Sequence, residues 1–188
     1  MGKPVPGFGD RKAQILILGL APGAHGSNRT GRMFTGDASG DFLFPALHEA
    51  GFSTKPISKS LQDDLKLTNI FITAVCRCAP PNNKPTPLEQ NNCRRYLIEE
   101  LVLLENIKGI VALGSIAFNK AFDILKERYT IESTRRPTFK HGNLFQWEAS
   151  PLWLLSSYHP SRQNTQTGRL TKVMFSSIWS QVNQLLKW

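Results

Sequence analysis

The chain has 188 residues, of which 40% are hydrophobic and 20% charged, and this composition predicts a single domain over residues 1–188 with one buried core. No run reaches the roughly 18 apolar residues of a membrane helix, and the first residues lack an apolar signal segment, so we expect an intracellular protein without a membrane segment. The 23 Lys and Arg residues outnumber the 14 Asp and Glu residues, and the resulting net charge of +9 favours a polyanionic partner such as nucleic acid.

The first predicted strand covers residues 14–20, an apolar run typical of a strand buried on both faces of a parallel sheet. The loop that follows, residues 21–39, is rich in glycine and arginine. A strand, a glycine-rich turn and a helix start form phosphate-binding loops, although no Gly-Lys-Ser/Thr and no Gly-x-Gly-x-x-Gly motif is present. A surface Ω-loop with glycines at its turns explains the composition equally well.

The next segment predicts a helix from Ser39 to Gly51, with Ser39 or Asp41 as its N-cap and Pro45 in its first turn. Strands are predicted over residues 69–78, 109–114 and 151–160. Helices are predicted to begin near residues 87, 115 and 172, with Thr86, Ser115 and Thr171 as caps.

Strands that alternate with helices predict an α/β fold, namely a three-layer α/β/α sandwich around a central, mostly parallel four-stranded sheet. In such sheets ligands bind beyond the carboxyl ends of the strands. The loops 21–39, 79–86 and 158–169 should therefore meet at one edge of the sheet.

The positive charge is concentrated near the C-terminus. Between Ser133 and Trp188 the only acidic residue is Glu148, and the basic residues are Arg135, Arg136, Lys140, Arg162, Arg169, Lys172 and Lys187. Charge alone does not distinguish a nucleic-acid interface from a basic surface without function.

The cysteines form an odd-numbered group, Cys76, Cys78 and Cys93, which makes a poor disulfide framework for an intracellular chain. Three reduced, buried cysteines are one explanation, and a metal site is another.

Two segments carry a family resemblance. "GLAPGAHGSNRTGRMFTGDASG" (residues 19–40) and "YHPSRQNTQTGRLT" (158–171) resemble the two signature motifs of family 5 of the uracil-DNA glycosylase superfamily, and "RCAPPNNKPTP" (77–87) agrees with them. The resemblance implies a monofunctional DNA-repair glycosylase that flips out uracil, and other deaminated bases such as hypoxanthine or xanthine, and hydrolyses the N-glycosidic bond to leave an abasic site.

The resemblance also assigns the catalytic residues. Asp37 is the expected catalytic carboxylate, and His159 is expected to donate a hydrogen bond to the departing base. An Asp before a helix often serves only as its cap, but Asp41 is expected to be the cap or a charge in the first turn, which leaves Asp37 free.

Base binding is assigned to the aromatic face of Phe34 and the amide of Asn83, together with Gly19, Ala21 and His25. Phe34 is equally explained as an apolar anchor of its loop. Neither signature loop has a Lys at a position that suggests Schiff-base chemistry. Lys84, in the loop between them, comes nearest to an exception.

DNA binding is assigned to Arg162, Gln163 and Asn164, which would press on the duplex where the base has left, and to Arg169, which would contact a phosphate. The expected partner is damaged DNA, double- or single-stranded. We expect a monomer in a prokaryotic cytoplasm. A catalytically idle DNA-binding domain and a small-molecule nucleosidase are the alternatives.

The resemblance further implies an iron-sulfur cluster. Related enzymes hold a 4Fe-4S cluster with a Cys-x-x-Cys near the N-terminus and two ligands at the positions of Cys78 and Cys93. This sequence lacks the first pair, so either the chain is truncated, or Cys76 and a non-cysteine ligand substitute, or no cluster forms.

Overall fold

The computed structural model describes residues 3–132 and 136–187, so Arg135 lies outside the described residues. The fold is α/β, as predicted, with one six-stranded sheet in the order β1-β3-β2-β4-β6-β5. The strands are β1 (Phe8–Gly9), β2 (Ile15–Gly19), β3 (Ile70–Ala74), β4 (Gly109–Leu113), β5 (Leu144–Trp147) and β6 (Ser150–Ser157). The helices are α1 (Ser27–Thr30), α2 (Ala38–Glu49), α3 (Pro87–Leu103), α4 (Ser115–Tyr129), α5 (Arg162–Gln166) and α6 (Lys172–Leu186), with a 3-10 turn at Pro81–Asn83.

The four predicted strands form the parallel centre of the sheet, β3-β2-β4-β6. The predicted number of four strands was wrong, because β1 and β5 pair antiparallel with the two outer strands of this centre. Neither edge strand has a detectable period, since β1 has two residues and β5 four.

Alternate side chains of each central strand enter opposite layers. In β2, Ile15 and Ile17 pack with the apolar faces of α2 and α6, whereas Leu16 and Leu18 pack with those of α3 and α4. All four residues are fully buried. This arrangement is the predicted three-layer sandwich, and it explains why the strand sequence is apolar throughout rather than alternating.

Two of the predicted caps are confirmed. Thr86 forms a capping box with Glu89 at the start of α3, and Thr171 accepts a hydrogen bond from the amide of Met174 in α6. Ser115 as a cap was wrong, because it is already the first helical residue. Gly114, with φ 98° and no side chain, occupies the cap position.

The start of α2 also differs from the prediction. Asp37, and neither Ser39 nor Asp41, is its N-cap, and Asp41 lies in the first turn. Pro45 lies in the middle of the helix rather than in its first turn. At this position Pro45 cannot donate to the carbonyl of Asp41, and its ring crowds that carbonyl.

None of the helices among residues 3–132 and 136–187 is long and apolar enough to cross a membrane. The loops after β2, β3 and β6 all leave the same edge of the sheet, because these strands are parallel.

Candidate active site

A cleft with a volume of about 820 Å³ lies at this edge of the sheet. It is lined by four stretches of chain, which follow β2, begin α2, follow β3 and follow β6. Nine of the predicted site residues line it: Gly19, Ala21, His25, Phe34, Asp37, Asn83, His159, Arg162 and Gln163. The convergence of the three loops predicted from the strand order is therefore observed.

Asp37 lies at the end of the first loop, directly before α2, and its two carboxylate oxygens have different surroundings. Oδ1 accepts hydrogen bonds from the amides of Ser39 and Gly40, each at 3.0 Å, and so caps α2. Oδ2 faces Gly23 and Gly26, and a Cβ atom on Gly26 would overlap the Asp37 side chain. The expectation that Asp37 is free of the cap was wrong, but a carboxylate can cap with one oxygen and leave the other for the cleft.

Phe34 forms one wall of the cleft. Its backbone is left-handed, with φ 54°, and its amide donates to Oγ of Ser27 at 2.9 Å. The ring packs against His159 with centroids 5.9 Å apart, and a Cβ atom on Gly19 would lie only 3.0 Å from the ring. A side chain at position 19 would therefore crowd the ring and require it to shift by a few tenths of an ångström.

His159 is half-buried beside this wall. Burial lowers its pKa to about 4, and the negative charge of Asp37 opposes that shift only in part. The imidazole is neutral at pH 7 and carries a single N–H donor. The side-chain amide of Asn164 donates to the backbone carbonyl of His159 at 2.8 Å, which fixes the backbone at this position.

His141 was not found from the sequence, yet it holds the loop that carries His159. Its Nδ1 accepts from the amide of Tyr158 at 3.1 Å, and its Nε2 lies 3.2 Å from the carbonyl of Met174 in α6. Because Nδ1 accepts, Nε2 must carry the proton and donate. Burial lowers the pKa of His141, and the hydrogen bond to Met174 counters this shift. No sequence signal marks this residue, since its partners are distant in the chain.

The predicted DNA-binding segment is not an open loop. Ser161 caps the short helix α5, and Arg162 and Gln163 are exposed at the mouth of the cleft. Asn164 points inward to His159, and the Arg169 guanidinium lies 4.8 Å from the centroid of the Tyr158 ring. Neither of these two side chains lines the cleft.

Asn82 and Asn83, on the opposite rim, both have left-handed backbones, with φ 52° and 55°. Asparagine tolerates this conformation better than other residues with a side chain. Both side chains are exposed to the cleft, and Lys84 lines it as well. The backbone amide of Asn83 donates to the carbonyl of Pro80 at 3.2 Å, whereas its side-chain amide forms no hydrogen bond with any residue that the structure describes.

The three cysteines lie outside the cleft lining. Cys76 is buried, Cys93 half-buried and Cys78 exposed. Burial, together with the neighbouring Cys93, raises the pKa of Cys76 to about 12, which disfavours a thiolate. Within residues 3–132 and 136–187, no three potential ligands are arranged to hold a metal ion. A 4Fe-4S cluster takes four thiolates, so the cysteines present do not fit a complete one.

Comparisons with known proteins show the family of this chain. The family model described as the uracil DNA glycosylase superfamily matches residues 6–183. The chain is 52% identical to the type-5 uracil-DNA glycosylase of Thermus thermophilus over 183 residues, 97% of this chain and 80% of that protein. It is 45% identical to the type-5 enzyme of Pyrobaculum aerophilum over 90% of this chain and 71% of that one. A type-4 uracil-DNA glycosylase of Archaeoglobus fulgidus is 32% identical over 84% of this chain and 70% of its own length.

Proposed function

The chain belongs to the uracil-DNA glycosylase superfamily, and we propose that its cleft holds the extruded base between Phe34, Asn83 and His159 with the sugar beside Asp37. The protein is a DNA N-glycosylase that excises uracil in DNA repair. The target bond cannot be reached inside the base stack, so uracil must leave the duplex before hydrolysis. The observation that supports the site is the meeting of one carboxylate and one neutral imidazole in a single cleft.

Asp37 acts on the sugar. As the bond between C1′ and the base breaks, the electron pair of that bond leaves with the base. Positive charge then develops on the sugar. The Oδ2 oxygen, which the helix cap leaves unused, stabilises that charge and orients the water whose oxygen then bonds to C1′. The proton released by this water passes to the carboxylate or to solvent.

His159 acts on the departing base. Negative charge accumulates on a base carbonyl as the bond breaks, and a well-placed donor at such an oxygen contributes roughly 3 to 4 kcal/mol. The imidazole is neutral above about pH 4. It therefore acts on the base as a hydrogen-bond donor that keeps its proton during the reaction.

Base recognition is divided between the two rims. Phe34 offers an aromatic face, and Asn83 offers an amide that both donates and accepts. At the end of β2 the cleft is lined by Gly19, Ala21 and Gly23, which have no polar side chain to reject a differently substituted base. Excision of hypoxanthine and xanthine, in addition to uracil, is therefore part of the proposal.

DNA is the partner of this protein, and we assign DNA binding to the rim of the cleft that Arg162 and Gln163 form, here called the basic rim. Arg162 and Gln163 lie at the mouth, where they can occupy the gap left by a flipped base in a duplex. Nothing in this arrangement requires a paired strand or a second protein copy, so the proposal includes single-stranded substrates and a monomeric enzyme.

The test is a set of oligonucleotides that each carry one modified base, single- or double-stranded, with release of the free base as the measurement. Release of uracil supports the proposal, whereas tight binding without release would indicate an idle DNA-binding domain. If the protein releases uracil from free deoxyuridine, and undamaged duplex DNA does not inhibit that reaction, the protein is a nucleosidase. Lys84 lines the cleft, so borohydride trapping on the same substrates tests the monofunctional assignment, which predicts no covalent adduct.

A further inference from the structure

The turn that presents both Phe34 and Asp37 is conformationally costly. Phe34 has φ 54° and Gly36 has φ 79°, so two of three consecutive residues are left-handed. This conformation is unfavourable for a residue with a side chain, such as Phe34, and it persists only when its surroundings enforce it.

Behind this turn lies a buried polar network. Arg32, 4% exposed, donates from Nη1 to Oδ1 of Asp63 at 2.7 Å and to Oγ of Ser58 at 3.0 Å. The hydroxyl of Ser58 lies 2.7 Å from Oγ1 of Thr35, the residue that follows Phe34. Each of Arg32, Thr35 and Ser58 is less than a tenth exposed.

Asp63 is the centre of this network. Besides Arg32, its carboxylate accepts hydrogen bonds from the amides of Lys59, Ser60 and Leu65. Burial alone would raise the pKa of Asp63, but these donors hold it well below its ordinary value. Asp63 is therefore charged throughout the working pH range.

The segment that carries Asp63 is itself anchored to the fold. A bridge between Ser53 and Leu67 closes it at its base, and the amide of Thr54 donates to the carbonyl of Lys66 at 3.0 Å. On its other side, the Arg32 guanidinium lies 4.9 Å from the centroid of the Phe8 ring in β1. The network thus has a rigid support on both sides.

We propose that Asp63 is a positioning residue for excision, which holds Arg32 and, through Ser58, Thr35, so that Phe34 and Asp37 are presented to the flipped base. This inference rests on the proposed function of the cleft. Neither Arg32, Ser58 nor Asp63 lines the cleft, so any effect on the chemistry must pass through the turn.

A role in stability alone accounts poorly for this choice of residues. Well-packed apolar side chains often stabilise a protein as well as a buried ion pair or better, because the pair must first lose its hydration. What the pair adds is direction: a single nitrogen of Arg32, Nη1, joins the carboxylate of Asp63 to the hydroxyl of Ser58, which apolar packing cannot do.

The test compares Asp63→Asn with Asp64→Asn, the same substitution at the adjacent, exposed carboxylate. Single-turnover release of uracil should fall by about ten- to a hundredfold in Asp63→Asn, since small displacements of a catalytic group have effects of this size. DNA affinity should stay within about twofold, because the basic rim is untouched. Asp64→Asn should match the unmodified protein in both measurements.

A second measurement separates positioning from stability. The pKa of His159, about 4 in the intact protein, should rise in Asp63→Asn towards the ordinary histidine value of 6.5, because a displaced Phe34 no longer covers the imidazole. NMR titration of the His159 ring below the melting temperature reports this directly. An unchanged rate and an unchanged titration in Asp63→Asn would overturn the proposal.

Two milder variants keep the test decisive if Asp63→Asn does not fold. Ser58→Ala and Thr35→Val each remove one hydroxyl from the link and retain the ion pair. Both should slow excision with little change in DNA affinity, and unmodified rates in both would equally overturn the proposal. The unmodified protein separates the two hypotheses: if it releases no uracil, the function of the cleft fails, whereas the His159 titration still decides whether Asp63 positions the turn.

Discussion

The ring of Phe34 and the imidazole of His159 lie against each other in the cleft lining, with centroids 5.9 Å apart and planes inclined by 31°. Phe34 comes from the loop after β2 and His159 from the loop after β6. The aromatic wall and the hydrogen-bond donor therefore form one continuous surface, and a change in one affects the other.

Substitution of Phe34 by Leu tests whether the ring stacks on the base or only anchors its loop. Leu retains much of the apolar volume and carries the same backbone cost at φ 54°, but it lacks an aromatic face. Stacking of a base on an aromatic ring contributes about 1–3 kcal/mol, so we expect single-turnover excision to fall by roughly tenfold or more. A rate within twofold of the unmodified protein would reduce Phe34 to an anchor.

Substitution of Asp37 by Asn separates its charge from its capping function. Asn is as good an N-cap as Asp, so the bonds to Ser39 and Gly40 should persist while the negative charge is lost. We expect most base release to be lost and DNA binding to be retained. The pKa of His159 should also fall further, because the charge of Asp37 raises it.

Substitution of Asp37 by Ala is the matched comparison. It removes the cap as well, so the free energy of unfolding should drop by about 1 kcal/mol relative to Asp37→Asn, with an equal loss of base release. Normal single-turnover excision by either variant contradicts the catalytic role of Asp37.

Acid should destabilise the folded protein through its buried histidines. The folded-state pKa of His159 is about 4, below the 6.5 of an unfolded chain, and the pKa of His141 is lowered as well. The unfolded chain therefore binds more protons between these values, so this stability is complete above pH 6.5 and is lost as the pH falls towards 4.

Urea unfolding at several pH values measures this dependence. The variant His159→Gln should show a weaker decline of stability between pH 6.5 and 4 than the unmodified protein, since one titrating group is removed. An identical decline in both proteins would show that His159 is not held neutral by burial.

The cysteine group predicts the metal content of this chain. Cys78 and Cys93 correspond to two expected cluster ligands, while Cys76 is buried with a raised pKa. We expect this chain as written to bind no complete cluster, or a labile one, and a version extended upstream by a Cys-x-x-Cys to bind one. Iron and acid-labile sulfide analysis after anaerobic purification measures it, and about four irons per chain would contradict the prediction.

The sequence predicted the parts of the fold that local patterns determine. The central strands are apolar runs because both of their faces are buried, and α3 begins with Thr86 and Pro87, a pattern typical of a helix start. The start of α2 was misplaced because Asp37, Ser39 and Asp41 are all acceptable caps. The fold uses Asp37, which accepts from the amides of Ser39 and Gly40 where Gly40 packs closely against the carbonyl of Phe34, a tertiary contact that no local pattern records.

The supporting residues of the site could not be predicted in the same way. Arg32 and Asp63 are partners across a turn and a loop, and His141 contacts Tyr158 and Met174 from a segment without periodicity. Such pairs are determined by tertiary packing, which no local pattern records. The predicted cleft residues were found because they lie within three continuous segments, residues 19–40, 77–87 and 158–171.

The grip on DNA should depend on salt in a way that separates two arginines. Neutralising one phosphate releases counterions and changes the slope of log affinity against log salt by about 0.9 for duplex DNA. Arg169 lies on the Tyr158 ring outside the cleft lining, so we expect Arg169→Ala to reduce the slope by about one and to weaken damaged and undamaged DNA alike. Arg169→Lys, which keeps the charge, should retain the slope, and an unchanged slope in Arg169→Ala would remove the phosphate contact.

Arg162 should behave differently because it lies at the mouth of the cleft rather than behind it. Arg162 belongs to α5, which is capped by Ser161. The side chain of Asn164 in the same helix donates to the carbonyl of His159, so α5 is held beside the cleft. A side chain pressed into the stack offsets part of the few kcal/mol that flipping costs in a duplex, and a single strand has no pairing to break. Arg162→Ala should therefore slow excision from double-stranded substrate more than from single-stranded substrate, as measured by single-turnover rates on both. Gln163→Ala, at the adjacent exposed position, tests whether the effect belongs to Arg162 or to the whole rim, and equal losses on the two substrates for Arg162→Ala would exclude the wedge.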